Sequence, residues 1–170
     1  MEEMIENRVA KSGLITIDLE DFYVEGERVE LDIAPVLFQG MVLREKDFRQ
    51  WVKEHQWEQY QGKLVAIFCS ADAIVPTWAY MLIATKIVSY AKMFVCGSAE
   101  KLEEALFQQA IEQVKSEEYR DAKLVIKGCS HKPVPTYAYV ELSRKLAPVA
   151  ASIMYGEPCS TVPVYKRPKQ

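Results

Sequence analysis

The feature that most restricts how this chain can fold is a stretch that occurs twice. Lys63-Leu64-Val65, Cys69-Ser70 and Val75-Pro76-Thr77-Trp78-Ala79-Tyr80, closing at Lys86, are answered by Lys123-Leu124-Val125, Cys129-Ser130 and Val134-Pro135-Thr136-Tyr137-Ala138-Tyr139, closing at Lys145. With one residue skipped between the serine and the valine, the copies 63–87 and 123–146 share 11 identities. Average residue usage would give roughly one or two. The physics of a copy is readable. Leu64 to Phe68 is a continuous apolar run, too short for a helix and suited to a buried parallel strand. A cysteine ends it, a turn follows, and Val-Pro-Thr opens a helix where proline loses no hydrogen bond. The theme returns near the end of the chain as Cys159-Ser160, then Val162-Pro163.

The remaining segments are assigned around this unit. Leu14 to Leu19 alternates, with Ile15, Ile17 and Leu19 on one face, and Arg28 to Ile33 alternates again. The turn residues Glu25-Gly26-Glu27 between them predict an antiparallel pair. A short strand, Met41 to Leu43, and a helix from about Glu45 to His55 follow. Beyond the first copy come a strand at Met93 to Cys96 and a helix that Ser98 can cap, its Leu102, Ala105, Leu106 and Ala110 sharing a face. After the second copy, Pro148 should end a helix near Leu146, with a last turn stopping at Gly156. Alternating strands and helices imply α/β architecture with right-handed crossovers. The expectation is one domain over 1–170, with a mixed, largely parallel sheet, an N-terminal antiparallel part and the duplicated strand–Cys-Ser–helix unit.

Length and charge exclude several function classes. A chain of 170 residues buries a core without staples, and a net charge of −3 offers no general attraction for nucleic acid or an anionic membrane. The basic cluster Lys166, Arg167 and Lys169 reads as a solvated tail. The first residues, Met1 to Glu6, are acidic where a secretory signal would be basic. The apolar stretch Ala73 to Ala91 is interrupted by Pro76, Thr77, Thr85, Lys86 and Ser89, against a membrane span. Cytoplasmic placement is therefore expected, with Cys69, Cys96, Cys129 and Cys159 as reduced thiols.

Chemistry is expected at those thiols, because open α/β sheets place ligands at the carboxyl ends of parallel strands. A thiol there, near a helix start, can exist partly as thiolate. Cys69, Cys129 and Cys159 would come from three different elements, with Asp72 or His131 as a fourth ligand and Glu157 as a weaker one. Such a set suits tetrahedral zinc or an iron–sulfur cluster, although it lacks the paired Cys-x-x-Cys of a zinc ribbon. Cys96 ends a strand but lacks the Val-Pro continuation, and is set aside. The acidic run Asp18-Leu19-Glu20-Asp21 at a predicted strand end could supply carboxylates for a cation but reads more simply as a solvated loop, and His55 reads as a favourable helix cap. Trp78/Tyr80 and Tyr137/Tyr139 read as helix-start packing residues. The chain has no Gly-rich phosphate loop, G-x-S-x-G elbow or H-E-x-x-H motif.

The run Cys69 to Tyr80 and the ending Gly156 to Pro163 resemble a bacterial family of uncharacterised proteins, domain-of-unknown-function family 2480. The openings Ser12-Gly13-Leu14-Ile15 and Leu19-Glu20-Asp21-Phe22-Tyr23 fit it, as does Leu43-Arg44-Glu45-Lys46-Asp47-Phe48. The resemblance implies no established activity or catalytic residue. It does imply genes that lie beside the sulfur-mobilisation machinery of iron–sulfur cluster assembly, and glycine in place of Cys96 in relatives. Proteins of that machinery, or a second copy of the chain, are then the partners expected.

Three functions remain open from the sequence. The first is a metal- or iron–sulfur-handling accessory protein using Cys69, Cys129 and Cys159. The second is a metal-independent thiol, persulfide or redox enzyme. The third is a structural or partner-binding module in which the cysteines only pack.

Overall fold

The computed structural model describes residues 13–128 and 131–169, so Cys129 and Ser130 lie outside the described residues. Seven strands and four α-helices are seen among the described residues: β1 (Leu14–Asp18), β2 (Arg28–Asp32), α1 (Glu45–Glu54), β3 (Leu64–Phe68), α2 (Thr77–Ile87), β4 (Met93–Cys96), α3 (Ala99–Glu112), β5 (Lys123–Lys127), α4 (Thr136–Leu146), β6 (Ser152–Glu157) and β7 (Ser160–Lys166). No helix among the described residues is long and apolar enough to cross a membrane.

The strands form two sheets, β1-β5-β6-β7 and β2-β3-β4, and the chain falls into two contact units. The second unit is Glu25–Ala105, and the first is made of the segments on either side of it, Met1–Val24 and Leu106–Gln170. All pairings are parallel except β6 with β7. The α/β, largely parallel architecture expected from the alternation is what forms. The antiparallel part is C-terminal, however, not N-terminal. β1 and β2 do not pair: β1 lies parallel to β5, and β2 parallel to β3. Alternation had specified two half-buried strands but not their partners. The chain after β1 makes a 3₁₀ turn, Leu19–Phe22, capped by Asp18, and so leaves the strand without forming a hairpin.

Inside each unit the core follows from the pattern. In the second unit, Leu31 and Ile33 with Val65 and Ile67 meet Ala79, Ile83 and Ile87 of α2 and Phe48 and Val52 of α1. In the first, Ile17, Leu19, Leu124 and Ile126 meet Ala138, Leu142 and Leu146 of α4 and Phe107 and Ile111 of α3. These lists correspond residue by residue at a spacing of 59, from Phe48 and Phe107 to Ile87 and Leu146. The first strands, β1 and β2, correspond at a spacing of 14. The duplication is therefore larger than 63–87 and 123–146: each unit is strand, helix, strand, helix, strand.

The register differs from the identity match by one residue. Asp32 is level with Phe68 and Asp18 with Lys127, so Phe68 corresponds to Lys127 and Cys69 to Gly128. Gly97 and Gly156, which turn the chain at the ends of β4 and β6 with φ of 147° and 113°, keep the same spacing. Leu64 and Leu124, matched as identical, sit on different faces: Val65, not Leu64, joins the helix-facing core of its unit, whereas Leu124 joins its own. No residue needs to be skipped before Val75 and Val134.

Other local expectations divide. α1, β4 and the end of α4 at Leu146 are as expected, and Ser98 Oγ accepts the Lys101 N–H at 3.3 Å. Met41–Leu43 is not a strand; Phe38 and Val42 make an isolated bridge. The last turn expected to stop at Gly156 is instead β6, paired through a hairpin to β7.

Candidate thiol site at the carboxyl edge of the parallel strands

In the second unit the residues just past β2, β3 and β4 gather polar and sulfur groups. Asp32 ends β2, and its Oδ1 accepts the N–H of Ala34 and of Ser70, each at 2.9 Å, while Oδ2 accepts the Ser70 hydroxyl at 2.5 Å. Partial burial acts to raise the Asp32 pKa. The bonds from the Ser70 side chain and the Ala34 and Ser70 amides outweigh it and hold the carboxyl below its ordinary value. The anchored loop fixes Cys69, which is half-buried against the core and donates its S–H to Ala71 O at 3.6 Å. Cys96 ends β4 level with Ile67, two residues before Cys69 on the neighbouring strand, and is exposed. Tyr80, in the first turn of α2, completes the group. Burial raises its phenol pKa, and negative charge at Cys96, Cys69 and Asp32 raises it further. The phenol therefore stays protonated at neutral pH and can donate a hydrogen bond to a thiolate or to charge developing on sulfur.

The equivalent edge of the first unit carries different chemistry. Asp18 caps its turn through the Glu20 N–H at 3.0 Å, as Asp32 does through Ala34. It also pairs with Lys127 Nζ at 3.2 Å, and Lys127 lies 3.7 Å from Glu157. The hydrogen bond and charge of Asp18, then the charge of Glu157, raise the lysine pKa. Gly128 stands where the other unit has Cys69, and a Cβ there would meet the Tyr139 hydroxyl at 2.8 Å. Tyr139 occupies the place of Tyr80 and stacks edge-on against Tyr155, which occupies the place of Cys96. Among the described residues the duplicated edge thus carries thiols in one copy and ionic and aromatic groups in the other.

The sequence-derived ligands are distributed as follows. Cys69 belongs to the second unit, with Asp72 exposed in the loop after it. Cys159 is exposed in the tight turn joining β6 to β7. His131 has an exposed side chain, and its backbone N–H donates to Glu20 Oε1 at 3.0 Å. Glu157 is engaged with Lys127. The strands of the two copies, Leu64–Phe68 and Leu124–Ile126, lie in different sheets, not in the one mixed sheet expected. Among the described residues no three His, Cys, Asp or Glu side chains are grouped to hold a metal ion.

Sequence reasoning missed Asp32 and Tyr80 and discounted Cys96. A signal existed: Ile17-Asp18-Leu19 and Leu31-Asp32-Ile33 each place an aspartate in the polar gap of an alternating strand end. His55, expected as a helix cap, has its ring among Trp51, Trp57 and Tyr60, with Nε2 2.9 Å from the Tyr60 hydroxyl.

The family described as protein of unknown function DUF2480 matches residues 3–167. This chain belongs to that family. The resemblance seen at the Cys-Ser motifs and the chain ending thus extends over almost the whole length of the protein. No curated protein and no solved structure matches it.

Proposed function

We propose that this protein acts through a metal-independent thiol, with Cys69 accepting a sulfane sulfur from a persulfide-bearing donor, as an accessory to sulfur or iron–sulfur chemistry. The observation that carries the reading is the convergence of Cys69, Cys96, Tyr80 and the Asp32–Ser70 pair on one edge of β2-β3-β4. In the step proposed, the Cys69 thiolate attacks the outer sulfur of the donor persulfide. A bond forms between Cys69 Sγ and that sulfur, the donor's S–S bond breaks, and the donor leaves as a thiolate that takes up a proton. No external oxidant or reductant is needed. Tyr80 is the donor that steadies negative charge on sulfur, Asp32 and Ser70 hold the loop, and exposed Cys96 is the neighbouring thiol to which the sulfur can pass.

The test is incubation of reduced protein with glutathione persulfide, followed by intact and peptide mass spectrometry. The expected result is the mass of one added sulfur on Cys69, lost in Cys69→Ser and retained in Cys159→Ser. Labelling spread equally over all the cysteines, or unchanged in Cys69→Ser, removes the proposal. The metal reading, with zinc or an iron–sulfur cluster on Cys69, Cys129, Cys159, Asp72 and His131, makes a separate claim. Elemental analysis of protein purified without air or chelators decides it.

A further inference from the structure

Between α1 and α2 of the second unit lies a cleft of about 500 Å³, far from ordinary in its charge. Arg49, Lys53 and Lys86 line it, and no carboxylate does. Arg49 is held to Glu45 at 2.9 Å, one turn earlier on the same helix. Neither Lys53 nor Lys86 has a hydrogen-bond or ion-pair partner among the described residues.

The duplication shows what stands at these positions in the first unit. Lys86 corresponds to Lys145, whose ammonium donates to the Ile111 and Glu112 carbonyls at 2.8 and 2.7 Å and so closes the end of α3. In the second unit the carbonyl equivalent to Ile111 O is Val52 O, and the Trp57 indole N–H takes it at 2.8 Å. That carbonyl is satisfied without Lys86, whose side chain lines the cleft instead. The surrounding positions have changed in the same sense. Lys53 stands where the first unit has Glu112, and Leu82 where it has Glu141. In the first unit Glu141 pairs with Arg144, so its cations are offset by acids. Arg144 in turn corresponds to Thr85, so around the cleft the second unit has Arg49, Lys53 and Lys86 where the first has Gln108, Glu112 and Lys145.

We propose that this cleft binds a small, multiply charged anion, a phosphate ester or a polycarboxylate, with Lys53 and Lys86 as its charge partners. The volume lies within the range of small-molecule sites. Lysines act as phosphate or carboxylate partners through charge without demanding a fixed fork geometry.

Isothermal titration of the full chain with inorganic pyrophosphate and, separately, with citrate tests this, and the stronger arm names the anion class. The expected result is saturable one-to-one binding to at least one probe, weakened at least about tenfold in Lys53→Gln/Lys86→Gln and unchanged in Lys123→Gln. Thermal melting of each variant checks that the fold is retained; both lysines lie on helix surfaces, and glutamine keeps their helix propensity. Absence of saturable binding to either probe, or equal loss in Lys123→Gln, overturns the proposal. Since the cleft is separate from the thiol edge, failure of one proposal leaves the other standing.

Discussion

At the scale of single residues, the contrast between Cys69 and Gly128 shows how one position sets the chemistry of a strand end. The Tyr139 hydroxyl approaches so closely that a Cβ on Gly128 would lie 2.8 Å away, whereas the equivalent position of the second unit carries a thiol beside Tyr80. Gly128→Ala is expected to destabilise the fold by about 1–3 kcal/mol through overpacking. Adding Tyr139→Phe should recover much of that loss, because the clashing oxygen is then gone. A double-mutant cycle on urea midpoints measures the coupling, and additive losses would mean the contact is not the cause. The reactive role of Cys69 belongs to this scale too. Cys69→Ser should abolish sulfur acceptance while leaving the melting curve nearly unchanged, since the serine keeps the shape of the side chain.

At the scale of elements, the end of α1 is the place where pH should act. His55 follows the helix and packs among three aromatic rings, and burial lowers its pKa from 6.5. Tyr60, its partner through Nε2, is pushed upward by burial and stays neutral. Between the lowered folded value and 6.5 the unfolded chain binds the proton more readily than the folded one. The contribution to stability is therefore full above 6.5 and is lost as pH falls through the folded-state value. Urea midpoints at about pH 7.5 and about pH 5.5 should show a drop on acidification. In His55→Gln that drop should shrink. An unchanged drop would place the titrating group elsewhere.

At the scale of the whole molecule, the duplicated architecture predicts matched costs for matched losses. Phe48 and Phe107 are both fully buried, in equivalent places of separate core clusters. Phe48→Ala and Phe107→Ala should each cost about 3–5 kcal/mol. Because they share no core neighbours, the losses should add in the double variant, as chemical denaturation can test. The duplication also accounts for the difference between the two units' charges. Where Lys145 Nζ takes the Ile111 carbonyl of α3, the Trp57 indole takes the equivalent Val52 carbonyl of α1, and Lys86 makes no such bond.

The sequence by itself determined the α/β class, the presence of a duplication, the position of most helices and the placing of Cys69 and Cys96 at strand ends. Each rests on local information: periodicity, a proline at a helix start, a short apolar run. Only the tertiary structure decided which strands pair. Alternation in Leu14–Asp18 and Arg28–Asp32 says that each is half-buried, but their partners, β5 and β3, are chosen by packing across distant parts of the chain. Register was hidden for the same reason. Residue identity aligned Leu64 with Leu124, whereas burial against a helix aligns Val65 with Leu124, and a one-residue slip exchanges the two faces of a strand. Tyr80, Asp32 and Cys96 became a site with Cys69 only when β2, β3 and β4 ended at one edge, because a site of this kind is a meeting of strand ends and no single segment contains it.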